Sequence, residues 1–246
     1  MQDDVKLKII ENNKTINRLL LENEQLVKSK GLKPPSSNYA LDNKERLKIP
    51  SGYIRTSNLF NSKYYLDLIV IEKKVKKNIA YSLQFSDFHN YLLNRFDVWG
   101  SVGTILYKHD FINLISIIES LILESASNIS AQCKNRSCKE ISKCQKHINK
   151  NQKNYIREAI DKLYDLGILQ YGKKEIERLK ELIDFRNRIH IRLAEGNEFL
   201  DDKFNLALHN ETIKILLEIV EMLKDNAVPF YAECINTSQS EVGENW

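Results

Sequence analysis

The chain has 246 residues, room for one good core plus an appendage, and carries 37 Lys and Arg against 33 Asp and Glu, a formal charge of +4. Only 8 Gly and 4 Pro punctuate it, which argues against a sandwich or barrel, since those folds need many turns, and in favour of long helices. The fold class expected is all-α: an N-terminal coiled-coil helix, then a bundle of four to five helices with an inserted Cys/His loop.

The start, Met1-Gln2-Asp3-Asp4, is acidic and leads into Lys6 and Lys8, unlike the charged, apolar and small-residue zones of a secretory leader. No apolar run reads as a membrane span; Tyr65 to Ile71 is short and is interrupted by Asp67. A cytoplasmic protein with no membrane partner is therefore expected, with cysteines reduced or metal-bound rather than disulfide-bonded.

Residues 1–28 carry a heptad. One seam is Ile9, Ile16 and Asn23; the other is Val5, Asn12, Leu19 and Leu26. That spacing keeps a stripe facing a partner helix, and Asn within it costs stability while fixing register and oligomeric state. A self-paired coiled coil, hence a homodimer, is expected; the alternative is one amphipathic helix packed on its own body. Residues 29–62 read as a linker, because Gly31, Pro34-Pro35-Ser36-Ser37 and Pro50-Ser51-Gly52 stop helices. Tyr64 to Ile71 reads either as a short strand or as the first turn of the following helix.

The bundle is expected over 63–228. A helical period begins at Val75 and runs through Ile79, Leu83, Phe88, Leu92 and Phe96, with Trp99-Gly100-Ser101-Val102-Gly103 as its break. A second helix is expected from Asp110, as N-cap, to about Ser127, burying Phe111, Leu114, Ile117, Ile118, Leu121 and Ile122. Further helices are expected over 154–166, ended by Gly167, over 173–193, and over 202–225 with Leu206, Leu208, Ile213, Leu216, Ile219 and Leu223 inward. Residues 229–246 read as a polar tail.

Between the second and third helices lies the insertion, 129–152. Cys133, Cys138, Cys144 and His147 fall within fifteen residues there, and three thiols with one imidazole can close a tetrahedral zinc shell. A long loop with only Ile141 and Ile148 to bury lacks folding energy of its own, and a structural zinc would supply it. The alternative is an unstructured loop with reduced thiols and a surface His. Lys134, Arg136, Lys139, Lys143, Lys146 and Lys150 crowd the same stretch, with Glu140 as its only acid. That density suits RNA phosphates, or merely a solvated lysine-rich loop.

The helix over 173–193 contains the segment Asp184-Phe185-Arg186-Asn187-Arg188-Ile189-His190. Leu182, Phe185, Ile189 and Leu193 form its core stripe. Arg186 and His190 lie four apart, on one face, with Asn187 bordering it. A guanidinium grips phosphate and offsets developing charge, an imidazole titrates near neutrality, and an amide orients either. The plainer reading is a solvated helix face with Asp184 paired to Arg188. His89, His109 and His209 stand singly in sequence and read as surface or satisfied core residues. No P-loop and no G-x-G-x-x-G is present, which removes nucleotide hydrolysis by those routes.

A helical bundle with an Arg-Asn pair and a His late in one helix resembles the HEPN superfamily, over roughly residues 75–225. Members resemble metal-independent ribonucleases of toxin–antitoxin, phage-defence and CRISPR systems, and their signature is an Arg, commonly followed by Asn, then four to six residues to a His. Arg186, Asn187 and His190 match its parts, with three residues between Arg186 and His190, one fewer than usual. The resemblance implies attack of an RNA 2′-hydroxyl on the adjacent phosphate. His190 would be acid or base, Arg186 the phosphate clamp and Asn187 the orienter, in a site made by two protomers, with an antitoxin or defence protein as a further partner. The rival expectation is a non-catalytic RNA- or protein-binding helical module that uses the coiled coil and the basic loop.

Overall fold

The computed structural model describes residues 2–29, 48, 54–98, 100–132, 155–188 and 203–227. Among them every regular element is helical, as the scarcity of turn residues requires. The chain divides into two units, Met1–Pro50 and Ser51–Trp246.

The first unit contains α1, Gln2–Ser29, long enough to span about 42 Å at 1.5 Å per residue. Val5, Ile9, Ile16, Leu19 and Leu26 of the heptad are all exposed along it. Its charged residues bond locally, Lys8 to Glu11 and Arg18 to Glu22.

In the second unit, α2 covers Ser57–Lys63 and α3 covers Leu66–Ile69. Two expectations fail here. The linker read over 29–62 already contains α2, whose Phe60 is fully buried. Tyr64 to Ile71 is neither a strand nor the opening of the next helix: Tyr64 caps α2 and Tyr65 turns the chain in the left-handed region (φ 51°) into α3. That conformation is costly for a tyrosine, and the Lys224 ammonium lies over its ring at 4.6 Å. Burial of Phe60, Leu66, Ile69 and Val70 outweighs the β-leaning composition.

The long helix α4 spans Lys73–Arg95, and α5 spans Gly100–Gln132. Asp110 is thus no N-cap; it sits within α5 and is fully buried. The Gly100–Gly103 stretch opens α5 rather than separating it from its start. Gly100 takes φ +51°, and a Cβ on Gly103 would stand 3.2 Å from the Val98 carbonyl, so both positions use the missing side chain. Tertiary packing overrides the low helix propensity of glycine. The stretch Gly100–Ile129 is long and apolar enough to cross a membrane by length and composition, but 56% of its most apolar window is buried by its neighbours. Phe111, Ile115, Ile118, Leu121, Ile122 and Ile129 lie within 1% of full burial on one face, buried Ile117 extends that face on one side, and half-buried Ile112 and Leu123 extend it on the other. A helix apolar around most of its circumference belongs at the centre of a bundle.

Three more helices surround it. α6 covers Tyr155–Asp165, α7 Lys173–Arg188 and α8 Leu206–Met222, the last continued by a π-helical turn, Leu223–Ala227. All three, and α4, pack on α5. α6 buries Ile156, Ala159, Ile160 and Leu163, one apolar stripe, and ends where Gly167 (φ +69°) lets Ile168 N–H reach the Leu163 carbonyl at 2.9 Å. α8 starts on Asn205, whose side chain accepts from Leu208 N–H at 3.0 Å. Leu216, Ile219 and Leu223 face inward as expected and Leu208 and Ile213 are half-buried, but Leu206 is exposed because it occupies the first turn beyond that cap.

Candidate functional site

The face of α7 that carries Ile176, Leu179, Leu182 and Ile183 is buried, which fixes the rotation of the helix. Phe185 continues it, half-buried, with its ring stacked on Phe204 (5.2 Å between centroids) and tilted against Phe111 (5.4 Å). Asp184 takes a forked ion pair with Arg157 of α6; the Arg188 side chain lies outside the described residues.

Arg186 then points to α5. One guanidinium nitrogen donates to Asn187 Oδ1 at 2.8 Å, another to Ser116 Oγ at 2.9 Å, and the latter lies 3.4 Å from Glu119 Oε2. Ser116 donates its own hydroxyl proton to the Ile112 carbonyl at 2.7 Å, which leaves its lone pairs for Arg186. The Arg186 side chain is 30% exposed and Glu119 is 9% exposed, so the pair sits at the edge of the core with the cation on the solvent side. Burial pushes the Glu119 carboxyl above its ordinary range, and Arg186 draws it partly back. Asn187 is exposed. Arg186 and Asn187 are therefore together, as their spacing indicated, whereas Glu119 and Ser116 arrive from a helix some seventy residues away in sequence. No spacing rule could have paired them with Arg186.

This patch lies on an open edge of α5. Asn113, Ser116 and Ser120 are half-buried there, one turn or so apart. Asn113 Nδ2 donates to the Ser82 carbonyl of α4 at 2.7 Å, while Ser116 receives Arg186 of α7. The edge of α5 thus runs between an α4 anchor and an α7 anchor. A separate open groove of about 580 Å³ between α7 and α8, lined by Phe185, Lys203, Leu208 and Glu211, includes neither Arg186 nor Asn187.

Deeper along α5 is a second polar cluster. Asp110 accepts a hydrogen bond from Ser86 Oγ and faces two imidazoles, His209 Nδ1 at 3.2 Å and His89 Nδ1 at 3.6 Å. His209 Nε2 lies 2.9 Å from Asn90 Oδ1. Ser86 and His89 come from α4, Asp110 from α5 and His209 from α8, and all four are buried. Burial lowers the His89 pKa, opposed by Asp110 and supported by His109 and His209. The histidines set aside as solitary in sequence are thus partners in space. The available signal was position: Ser86 and His89 continue the apolar face of Ile79 and Leu83, and Asp110 that of Leu114 and Ile117.

His190, the six basic loop residues (Lys134, Arg136, Lys139, Lys143, Lys146 and Lys150) and the set Cys133, Cys138, Cys144 and His147 lie outside the described residues. Among the described residues no group of three or more His, Cys, Asp and Glu is arranged to hold a metal. No protein-family model, curated protein or solved structure matches the chain.

Proposed function

We propose that this protein is an endoribonuclease of HEPN-like type, cleaving RNA without a metal at the scissile phosphate, in a toxin or phage-defence setting. The observation that supports it most is the state of Arg186. Two neutral oxygens, from Asn187 and Ser116, fix the orientation of its guanidinium, and its solvent side stays open. A preorganised, half-exposed guanidinium can take up charge developing on a phosphate with little reorganisation. In this reading Arg186 clamps the phosphate, Asn187 and Glu119 position it, and His190, one turn further along the sequence, moves the proton as the 2′-hydroxyl attacks. The heptad of α1 brings two copies together, and zinc held by Cys133, Cys138, Cys144 and His147 organises the basic insertion. Metal analysis of protein purified without added zinc, and sedimentation of a chain lacking residues 1–30, check those two parts.

The deciding experiment follows cleavage of labelled RNA in EDTA. His190→Ala is expected to slow cleavage about 10²–10⁴-fold with RNA still bound, and Arg186→Ala to weaken both binding and turnover. Cleavage by His190→Ala at the wild-type rate ends the proposal. One observation favours the rival, a non-catalytic RNA- or protein-binding module: Glu119 already neutralises Arg186, so the pair can serve as a clasp between α5 and α7. That reading predicts loss of stability in Arg186→Ala and no cleavage by the wild type.

A further inference from the structure

The outward face of α4 is unlike that of any other described helix. Its core face carries Ile79, Ala80, Leu83, Ser86 and Asp87. The opposite face carries Lys74, Lys77, Tyr81 and Phe85 at helical spacing and runs on toward Phe96. Tyr81 is 50% exposed, Phe85 48% and Phe96 44%. Large aromatic side chains left open in a row are unusual in a folded chain and mark contact surfaces.

The polar residues beside the row indicate what it contacts. α4 opens with Lys73, Lys74, Lys76 and Lys77 and has no acidic residue in its first turn. Lys76 is paired with Asp67 at 2.5 Å, and Glu72 stands at the N-cap. Lys73, Lys74 and Lys77 are exposed, and Lys77 Nζ lies 5.7 Å from the centroid of the Tyr81 ring. Cations at the positive end of a helix dipole cost stability rather than supplying it, so folding gives no reason for Lys73, Lys74 and Lys77 beside the paired Lys76. Lysines followed by open aromatic rings along one helix face meet the two needs of a single nucleic-acid strand, phosphate neutralisation and a surface for base stacking. An apolar partner protein would use the rings but leave the lysines without a counter-charge.

We infer that Lys74, Lys77, Tyr81 and Phe85 form a binding track for single-stranded RNA. Tyr81 and Phe85 lie four residues apart, about 6 Å along the axis, so each can take one unstacked base of the same strand. Lys74 and Lys77 hold the phosphates on the N-terminal side. The track rests on the ribonuclease reading for its purpose, but its binding is separable from cleavage.

The test is fluorescence anisotropy of the full chain with a labelled single-stranded 12-nucleotide oligouridine and with a duplex RNA of the same length, alongside sedimentation and thermal melts. Tyr81→Ala and Phe85→Ala are each expected to weaken oligouridine binding about tenfold; Tyr81→Ala should leave the melting midpoint unchanged, whereas Phe85→Ala should lower it, because the Phe85 ring meets buried His89 edge-on at 4.2 Å. Lys74→Gln with Lys77→Gln is expected to lower the slope of log affinity against log salt by about 1.4, two phosphates' worth for a single strand. Duplex is expected to bind more weakly than oligouridine. Wild-type affinity in both aromatic variants overturns the track and leaves the Arg186 chemistry standing. Unchanged RNA binding with a shift in sedimentation of Tyr81→Ala or Phe85→Ala also overturns it, because the row is then a self-association face. Binding that depends on the track, without any cleavage by the wild type, supports the track and defeats the ribonuclease reading.

Discussion

Two polar clusters lie along α5, and the contrast between them separates structure from chemistry. The Asp110 cluster is sealed: its carboxylate, two imidazoles and a serine hydroxyl all lie inside the bundle, drawn from three helices. The Arg186 cluster, about two turns further along, has the same ingredients of charge and hydroxyl, but its cation is at the solvent edge. In the first, the carboxylate and imidazoles face one another inside the bundle, with Ser86 and Asn90 supplying the hydrogen bonds, and no face is left for a ligand. In the second, Ser116 and Asn187 orient the guanidinium while one side remains open. A charged group that is both oriented and accessible can act on something outside the protein; one that is oriented and enclosed can only hold helices in register.

The sharpest way to break this contrast is Asp110→Ala. It removes the acceptor of Ser86 and the carboxylate that faces two buried imidazoles, and is expected to cost about 3 kcal/mol in urea unfolding. A loss below about 1 kcal/mol would mean the cluster does not hold α4, α5 and α8 together. Asp110→Asn keeps an acceptor for Ser86 and should cost less.

Acidification tests the same cluster more gently. Burial holds the folded His89 pKa below its ordinary value of 6.5, while the unfolded imidazole titrates near that value. The unfolded chain then binds the proton more readily, so the stability contributed by neutral His89 is full above about pH 6.5 and declines as pH falls toward the folded pKa. Melting midpoints measured from pH 8 down to pH 5 should show this decline, and His89→Gln should flatten it.

The smallest effect is expected at the open cluster. Glu119 has a folded pKa raised by burial, so its contribution is full below about pH 4.5 and falls as pH rises through the folded pKa. Glu119→Gln removes that falling contribution and the ion pair with Arg186 together. The two losses oppose each other, and stability at pH 7 should change by no more than about 1 kcal/mol. A loss of several kcal/mol would make Arg186–Glu119 a structural clasp and erase the distinction between the two clusters.

Much of the helical layout was legible before any coordinates. The 154–166 helix, its glycine stop, the start of the helix at Lys173 and most of the inward face of α8 follow from local periodicity and capping chemistry, which act within a few residues. The proximity of Arg186 and Asn187 follows for the same reason. α2, α3 and the true start of α5 were not legible, because Phe60, Leu66 and Gly103 owe their conformations to what packs on them.

The sequence by itself determined the all-α class, the heptad of α1 and the apolar faces that meet in the bundle, since these depend on composition and on the fixed period of a helix. Only the tertiary structure decided that Asp110 is enclosed by His89, His209 and Ser86, and that Arg186 meets Ser116 and Glu119. It alone decided, too, that the Tyr81–Phe85 face of α4 stays uncovered. Those pairings join residues between 21 and 99 positions apart. Which face of a helix meets which neighbour is set by the packing of the whole bundle, and no window of sequence contains it.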